Sequence, residues 1–178
     1  WTKQLSSAAI KTAAAVCDFD RNGRMESVFT TLDGSITVLD HLGNDLEGWP
    51  QSLNAPSYSA PVIADLDGDG EPDILVGSNS SHLYAFHYDG TPIEGAPYLI
   101  SSPVRGTPTV SDLNQDGNLE LVVGTDYDLA VINLKTLSEV GDNWFTAGGN
   151  FQRTGVFVNP YLSVDEKEML PETLELQQ

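Results

Sequence analysis

The stretch DLDGDGEPDILVGS, residues 65–78, joins a loop of alternating oxygen side chains to a short apolar run. Its D-x-[DN]-x-[DN]-G spacing recurs as DFDRNGRME from Asp18 to Glu26 and as DLNQDGNLE from Asp112 to Glu120, and both intervals between first aspartates are 47 residues. The oxygen side chains are Asp18, Asp20, Asn22 and Glu26; Asp65, Asp67, Asp69 and Asp73; and Asp112, Asn114, Asp116 and Glu120, at positions 1, 3, 5 and 9 of each loop. Glycine holds position 6, where the chain must turn sharply. A hard cation such as Ca²⁺ takes about six to eight oxygens at ~2.3–2.6 Å, and a tight loop supplies so many only by folding around the ion. Position 7, which is Arg24, Glu71 or Asn118, is expected to give its main-chain carbonyl.

The same spacing opens the loop of a helical EF-hand, which also needs a bidentate glutamate at position 12 and a helix leaving the loop. Here position 12 is Phe29, Val76 or Val123. The acid at position 9 runs instead into SVFTT, ILVGS or LVVGT, short β-branched runs that read as buried strands. Each loop therefore joins two strands. Asp, Asn and Gly dominate metal-free turns as well, so one copy is compatible with an ordinary turn; three in fixed register weigh against that reading.

Within one period SAPVIAD enters the loop, DILVGS leaves it, HLYAFHY follows the polar turn SNSS, and the more irregular TPIEGAPYLI ends the unit. Four short strands per unit predict an all-β fold of four-stranded antiparallel blades, and a period near 47 fits a β-propeller better than a solenoid. The boundaries expected are 1–11 for the end of a preceding blade, 12–58, 59–105 and 106–157 for three repeats with a closing segment, and 158–178 for an acidic C-terminal linker.

Composition sets limits on partners. The 178 residues carry 26 acids against 8 Lys and Arg, a formal charge of −18, which argues against nucleic acid or an anionic membrane surface. No run is long enough for a membrane span. The lone Cys17 excludes an internal disulfide and aligns with Ala64 and Ser111, where a small buried residue is expected. His41, His82 and His87 do not recur in register and are expected at the surface or half-buried. Trp49, Tyr58, Tyr84, Tyr88, Tyr98 and Trp144 read first as packing residues and second as a sugar-binding surface.

Loops of the form DxDxDGxx[DE] between the first two strands, each followed by an apolar strand ending in Gly-Ser or Gly-Thr, resemble the FG-GAP or VCBS repeats of integrin-α-type β-propellers. The resemblance spans Thr12 to about Phe157. It implies three Ca²⁺ sites, one in each loop. Asn22 and Asn114 replace aspartates and Glu26 and Glu120 lengthen the last ligand, so the middle site is expected to be the tightest.

WTKQL at Trp1 aligns with WPQSL at Trp49, so Trp1 to Leu5 reads as the outer strand of a preceding blade. Three blades do not close a ring of 4–8. The expected partners are therefore missing upstream blades or other subunits. NWFTAGGNFQRTGVF, from Asn143 to Phe157, resembles the closing segment of secreted bacterial propellers, and LPETLELQQ resembles the lead-in to a C-terminal sorting domain. These two segments point to a secreted or cell-surface protein; Asn79-Ser80-Ser81 is a glycosylation sequon, a triplet that arises often by chance.

No catalytic motif is visible, and the repeated carboxylates are committed to the loops. The reading is a non-catalytic calcium-binding segment for adhesion, glycan or protein binding, or extracellular assembly. The alternative is the propeller portion of a secreted enzyme, such as a calcium-dependent polysaccharide lyase or a peptidase with accessory blades.

Overall fold

A computed structural model of the chain describes residues 1–4 and 9–137. Among them are eleven strands and no helix. The first sheet contains β1 (Ala15–Cys17), β2 (Glu26–Thr30), β3 (Ser35–Leu39) and β4 (Gln51–Ser52). The second contains β5 (Val62–Ala64), β6 (Asp73–Ser78), β7 (His82–Phe86) and β8 (Tyr98–Leu99). The third contains β9 (Thr109–Ser111), β10 (Asn118–Gly124) and β11 (Leu129–Leu137). All pairings are antiparallel and follow chain order. The fold is all-β, with four-stranded sheets of the kind that form propeller blades. The fourth strand expected in the third unit, the segment Asn143 to Phe157 with Trp144, and the acidic stretch 158–178 lie outside the described residues.

Period-2 alternation explains how the sheets stack. In the second sheet Ile63, Ile74, Val76, Tyr84 and Phe86 join a core with Ala15, Cys17, Val28, Ile36 and Val38 of the first. The alternate residues Val62, Ala64, Leu75, Leu83 and Ala85 join a second core with Val110, Leu121 and Val123 of the third. Both faces of the middle sheet are thereby buried, so every residue of β6 is buried and Ile74, Leu75 and Val76 are apolar in succession rather than alternating with polar residues. Each fully buried aliphatic side chain contributes about 1.5–3 kcal/mol relative to exposure. The first strands of successive sheets lie side by side, β1 against β5 and β5 against β9. Cys17 and Ala64 are buried in these cores and Ser111 is half-buried.

Successive units are anchored by a repeated contact. Trp49 Nε1 donates to the Tyr88 carbonyl at 2.8 Å, and the indole meets the Phe86 ring edge-on with centroids 5.6 Å apart. Trp1 Nε1 donates likewise to the His41 carbonyl at 3.0 Å. Trp1 thus stands toward the first sheet as Trp49 stands toward the second. Residues 1–4 form no strand, unlike the outer strand expected there. In the first two sheets the corresponding strand, β4 or β8, is two residues long and pairs with the third strand of its own sheet.

Candidate metal centres

Each acidic loop links the first strand of its sheet to the second, so stacking the sheets brings the loops to one end of the molecule. A single hydrogen-bond scheme recurs in all three. The carboxylate at position 1 accepts the main-chain N–H of position 6: Gly23 to Asp18 Oδ2 at 2.8 Å, Gly70 to Asp65 Oδ2 at 3.0 Å and Gly117 to Asp112 Oδ2 at 3.0 Å. Position 3 accepts from position 5 and position 5 from position 7, as in Asp69 N to Asp67 Oδ1 (3.2 Å) and Glu71 N to Asp69 Oδ1 (2.7 Å). Asp20 and Asn22 repeat this in the first loop, and Asn114 and Asp116 in the third. Such side-chain to backbone bonds are why Asp and Asn favour tight turns.

The acid at position 9 closes the loop from beneath; Glu26 and Asp73 open β2 and β6, and Glu120 lies two residues into β10. Glu26 Oε2, Asp73 Oδ2 and Glu120 Oε2 accept the N–H of Phe19, Leu66 and Leu113 at 3.1, 2.8 and 2.9 Å. All three acids are buried, Asp73 most completely at 1 % exposure. Glycine at position 6 has φ between +82 and +89°, the left-handed region that only glycine enters without strain. Position 4 is left-handed too, with φ of +56° at Arg21, +84° at Gly68 and +61° at Gln115.

Carboxylate oxygens of Asp18, Asp20 and Glu26 lie within 4.8 Å of one another, as do those of Asp65, Asp67 and Asp73. These are positions 1, 3 and 9 of the first two loops. In the third loop position 3 is the amide Asn114, and no such carboxylate triple forms there among the described residues. The arrangement fits a hard cation, since like-charged groups this close repel unless a positive charge lies between them. At position 7 the side chains are taken elsewhere: Arg24 Nη1 lies 3.0 Å from His41 Nε2, Glu71 Oε1 lies 3.5 Å from Arg21 Nη1, and Asn118 Nδ2 donates to Asp116. Any contribution from that position is left to its main-chain oxygen.

Burial sets the electrostatics. It pushes the Glu26 carboxyl above its ordinary value, against the Phe19 N–H, with Asp20 and Asp18 adding to the rise. Burial likewise pushes Asp73 up to about 7, opposed by the Leu66 N–H and by His87, and reinforced by Asp67. Asp116, by contrast, is held below the usual range by the Asn118 N–H and the Asn118 and Asn114 amides. Because Asp73 binds its proton more tightly folded than unfolded, its contribution to calcium-free stability is complete below about pH 4. That contribution is lost as pH rises through about 7. Metal-stripped protein should therefore melt higher at pH 5 than at pH 8, and Asp73→Asn should remove most of the difference. Melts of the two proteins at both pH values check this, and an undiminished difference in the variant would contradict it.

Two side chains that sequence reasoning left aside enter the site. Arg21 reaches from the first loop to the second, its Nη2 donating to the Gly70 carbonyl at 2.6 Å. His87, at the end of β7, turns under the second loop with Nδ1 3.0 Å from Asp73 Oδ1. Beside it opens a cavity of about 390 Å³ lined in part by Phe19, Asp20, Asp69, Asp73 and Tyr88. Of the aromatic residues picked out in the sequence, Trp49 and Tyr84 are core, Tyr98 packs against the second core, and Tyr58 and Tyr88 are exposed.

Stacked antiparallel sheets carrying the same acidic loop between their first two strands define a repeat protein of blade-like units. Residues 18–76 and 65–123 each match the family model of the FG-GAP-like repeat, together more than half of the chain. The chain belongs to that family. No curated protein matches it.

Proposed function

We propose that the chain is a non-catalytic, calcium-binding β-propeller segment of a secreted or cell-surface protein, with one Ca²⁺ in each of its three loops. The observation that carries this reading is the loop scheme itself. In all three loops it turns positions 1, 3, 5 and 9 to the same tasks, and in two it converges three carboxylates. Asp18, Asp20, Asn22 and Glu26 would hold the first ion, Asp65, Asp67, Asp69 and Asp73 the second, and Asp112, Asn114, Asp116 and Glu120 the third. Bound Ca²⁺ would supply the positive charge that relieves carboxylate repulsion and ties each first strand to its second. Among the described residues no helix is long and apolar enough to cross a membrane, which says nothing of a β-barrel.

The middle loop should bind most tightly, because it alone places four carboxylates at positions 1, 3, 5 and 9. Asp69→Ala should weaken calcium binding at its own site by roughly tenfold or more, and Asn22→Ala by only a few-fold, since affinity follows ligand charge. Calorimetric titration of each variant decides the order, and equal losses would show that loop charge does not set it.

The repeats are assigned to 12–58, 59–105 and 106–157, preceded by the end of another blade in 1–11 and followed by a linker in 158–178. The partner of the first sheet would be a preceding blade or a second copy. Its outer face holds an apolar cavity of about 230 Å³ lined by Trp1, Ile10, Phe29 and Leu39, on the side opposite to the one the second sheet covers. The chain expressed alone should therefore associate, and several further repeats of about 47 residues added before Trp1 should give a monomer. Light scattering on both proteins tests this; a monomer from the short chain would contradict it. A glycan or an extracellular protein is the ligand class proposed for the assembled surface.

A further inference from the structure

We propose that the middle loop carries a second kind of metal chemistry, a site for a borderline divalent cation such as Zn²⁺, ligated by His87 Nε2 and the carboxylates of Asp67 and Asp69. Ligating atoms of these three residues lie within 4.8 Å of one another. The imidazole is aimed by its other nitrogen. His87 Nδ1 lies 3.0 Å from Oδ1 of the buried Asp73, the carboxylate–imidazole pairing that fixes ring orientation and raises the basicity of the free nitrogen in metal sites.

That pairing turns Nε2 toward Asp67, 4.0 Å from its Oδ2. In a tetrahedral shell two ligands at ~2.0–2.1 Å lie about 3.3–3.4 Å apart, so this pair has only to close by roughly half an ångström to share one ion. Asp67 Oδ1 and Asp69 Oδ1 are occupied by main-chain N–H groups of the loop, which hold both side chains in place. Asp69 is exposed, and a carboxylate oxygen of it lies within 4.8 Å of the other two ligating atoms.

The register shows that this is peculiar to one loop. Forty-seven residues before His87 stands Asp40, whose carboxylate accepts from Leu42, Asn44 and the Asn44 amide within its own turn. Forty-seven residues after it stands Leu134, packed against the second core. Imidazole suits Zn²⁺, Cu²⁺ or Ni²⁺ and is a poor ligand for Ca²⁺, which takes oxygen. One loop of three therefore has a mixed nitrogen and oxygen donor set open to the 390 Å³ cavity, and the inference goes beyond the calcium reading.

The test is competition of the metal-stripped full chain against a chromophoric chelator, with Zn²⁺ alone as the probe, for the wild type, His87→Gln and His82→Gln. The wild type should bind one tight Zn²⁺; His87→Gln should weaken it at least tenfold, and His82→Gln should leave it unchanged. Absence of tight Zn²⁺ binding, or equal affinity in His87→Gln, overturns the proposal. A second readout needs no variant: with one equivalent of Cu²⁺ on the wild type, pulsed electron paramagnetic resonance should show coupling to an imidazole nitrogen. An oxygen-only signature overturns the proposal. Because both sites use Asp67 and Asp69, calcium is titrated into a separate metal-stripped wild-type sample; failure to bind Ca²⁺ there leaves the Zn²⁺ result standing, and the reverse also holds.

Discussion

Removing calcium from this chain should lower its melting temperature by roughly 15–30 °C. A site held at 100 times its dissociation constant stabilises the folded state by about 2.7 kcal/mol. Three sites of the kind proposed would together contribute about 8 kcal/mol, comparable with the whole stability of an ordinary domain at ~5–15 kcal/mol. In a chain of this size each kcal/mol moves the midpoint by about 2–4 °C. The effect is large because the ion-free loops bring like charges together: Asp18, Asp20 and Glu26 in one, Asp65, Asp67 and Asp73 in the next. Mg²⁺ should restore the midpoint less well than Ca²⁺, since it demands a near-octahedral shell and gives up its water reluctantly. Calorimetric melts of calcium-loaded and metal-stripped protein give the answer, and coincident melts would show that the loops stand without an ion.

Gly48→Ala should be the most damaging single methyl in the described chain, at about 2–5 kcal/mol. Gly48 has φ of +86°, and a Cβ there would sit 1.9 Å from the Asp89 carbonyl oxygen and 2.9 Å from its carbon. That neighbour is main chain, next to Tyr88, whose carbonyl anchors Trp49, so it cannot yield without disturbing the contact between units. The left-handed backbone costs an alanine about 1–2 kcal/mol, and overpacking adds ~1–3 kcal/mol. Gly95, 47 residues on, provides the control: its φ is +84°, but its Cβ would only touch Tyr98 Cε1 at 3.5 Å. Gly95→Ala should cost only the backbone part. Urea unfolding of both variants measures the difference, and equal losses would show that the packing of Gly48 against the next unit is not what makes it necessary.

The sequence was most legible where chemistry is local. Glycine at position 6 and oxygen side chains at alternating positions act within their own turn, so spacing alone placed the three loops and the strands that follow. The continuous apolar run Ile74, Leu75 and Val76 announced a buried strand, but only the stacked sheets show that it serves two cores. Other features left no local signal. Position 4 is left-handed in all three loops, yet only Gly68 advertises it, because the loop bonds hold Arg21 and Gln115 there despite their side chains. Arg21 could not be tied to Gly70, nor His87 to Asp73, without the register that brings the first loop and β7 to the second loop. The role of position 9 was half visible: its acid was read as a ligand, while its bond to the N–H at position 2 emerged only from the folded loop.

The most direct test of the account is a calcium titration of the metal-stripped full chain by isothermal calorimetry, repeated for Asp18→Ala, Asp65→Ala and Asp112→Ala. The account predicts three ions per chain, and one fewer in each variant. No stoichiometric binding, or a count that none of the three substitutions lowers, would contradict it.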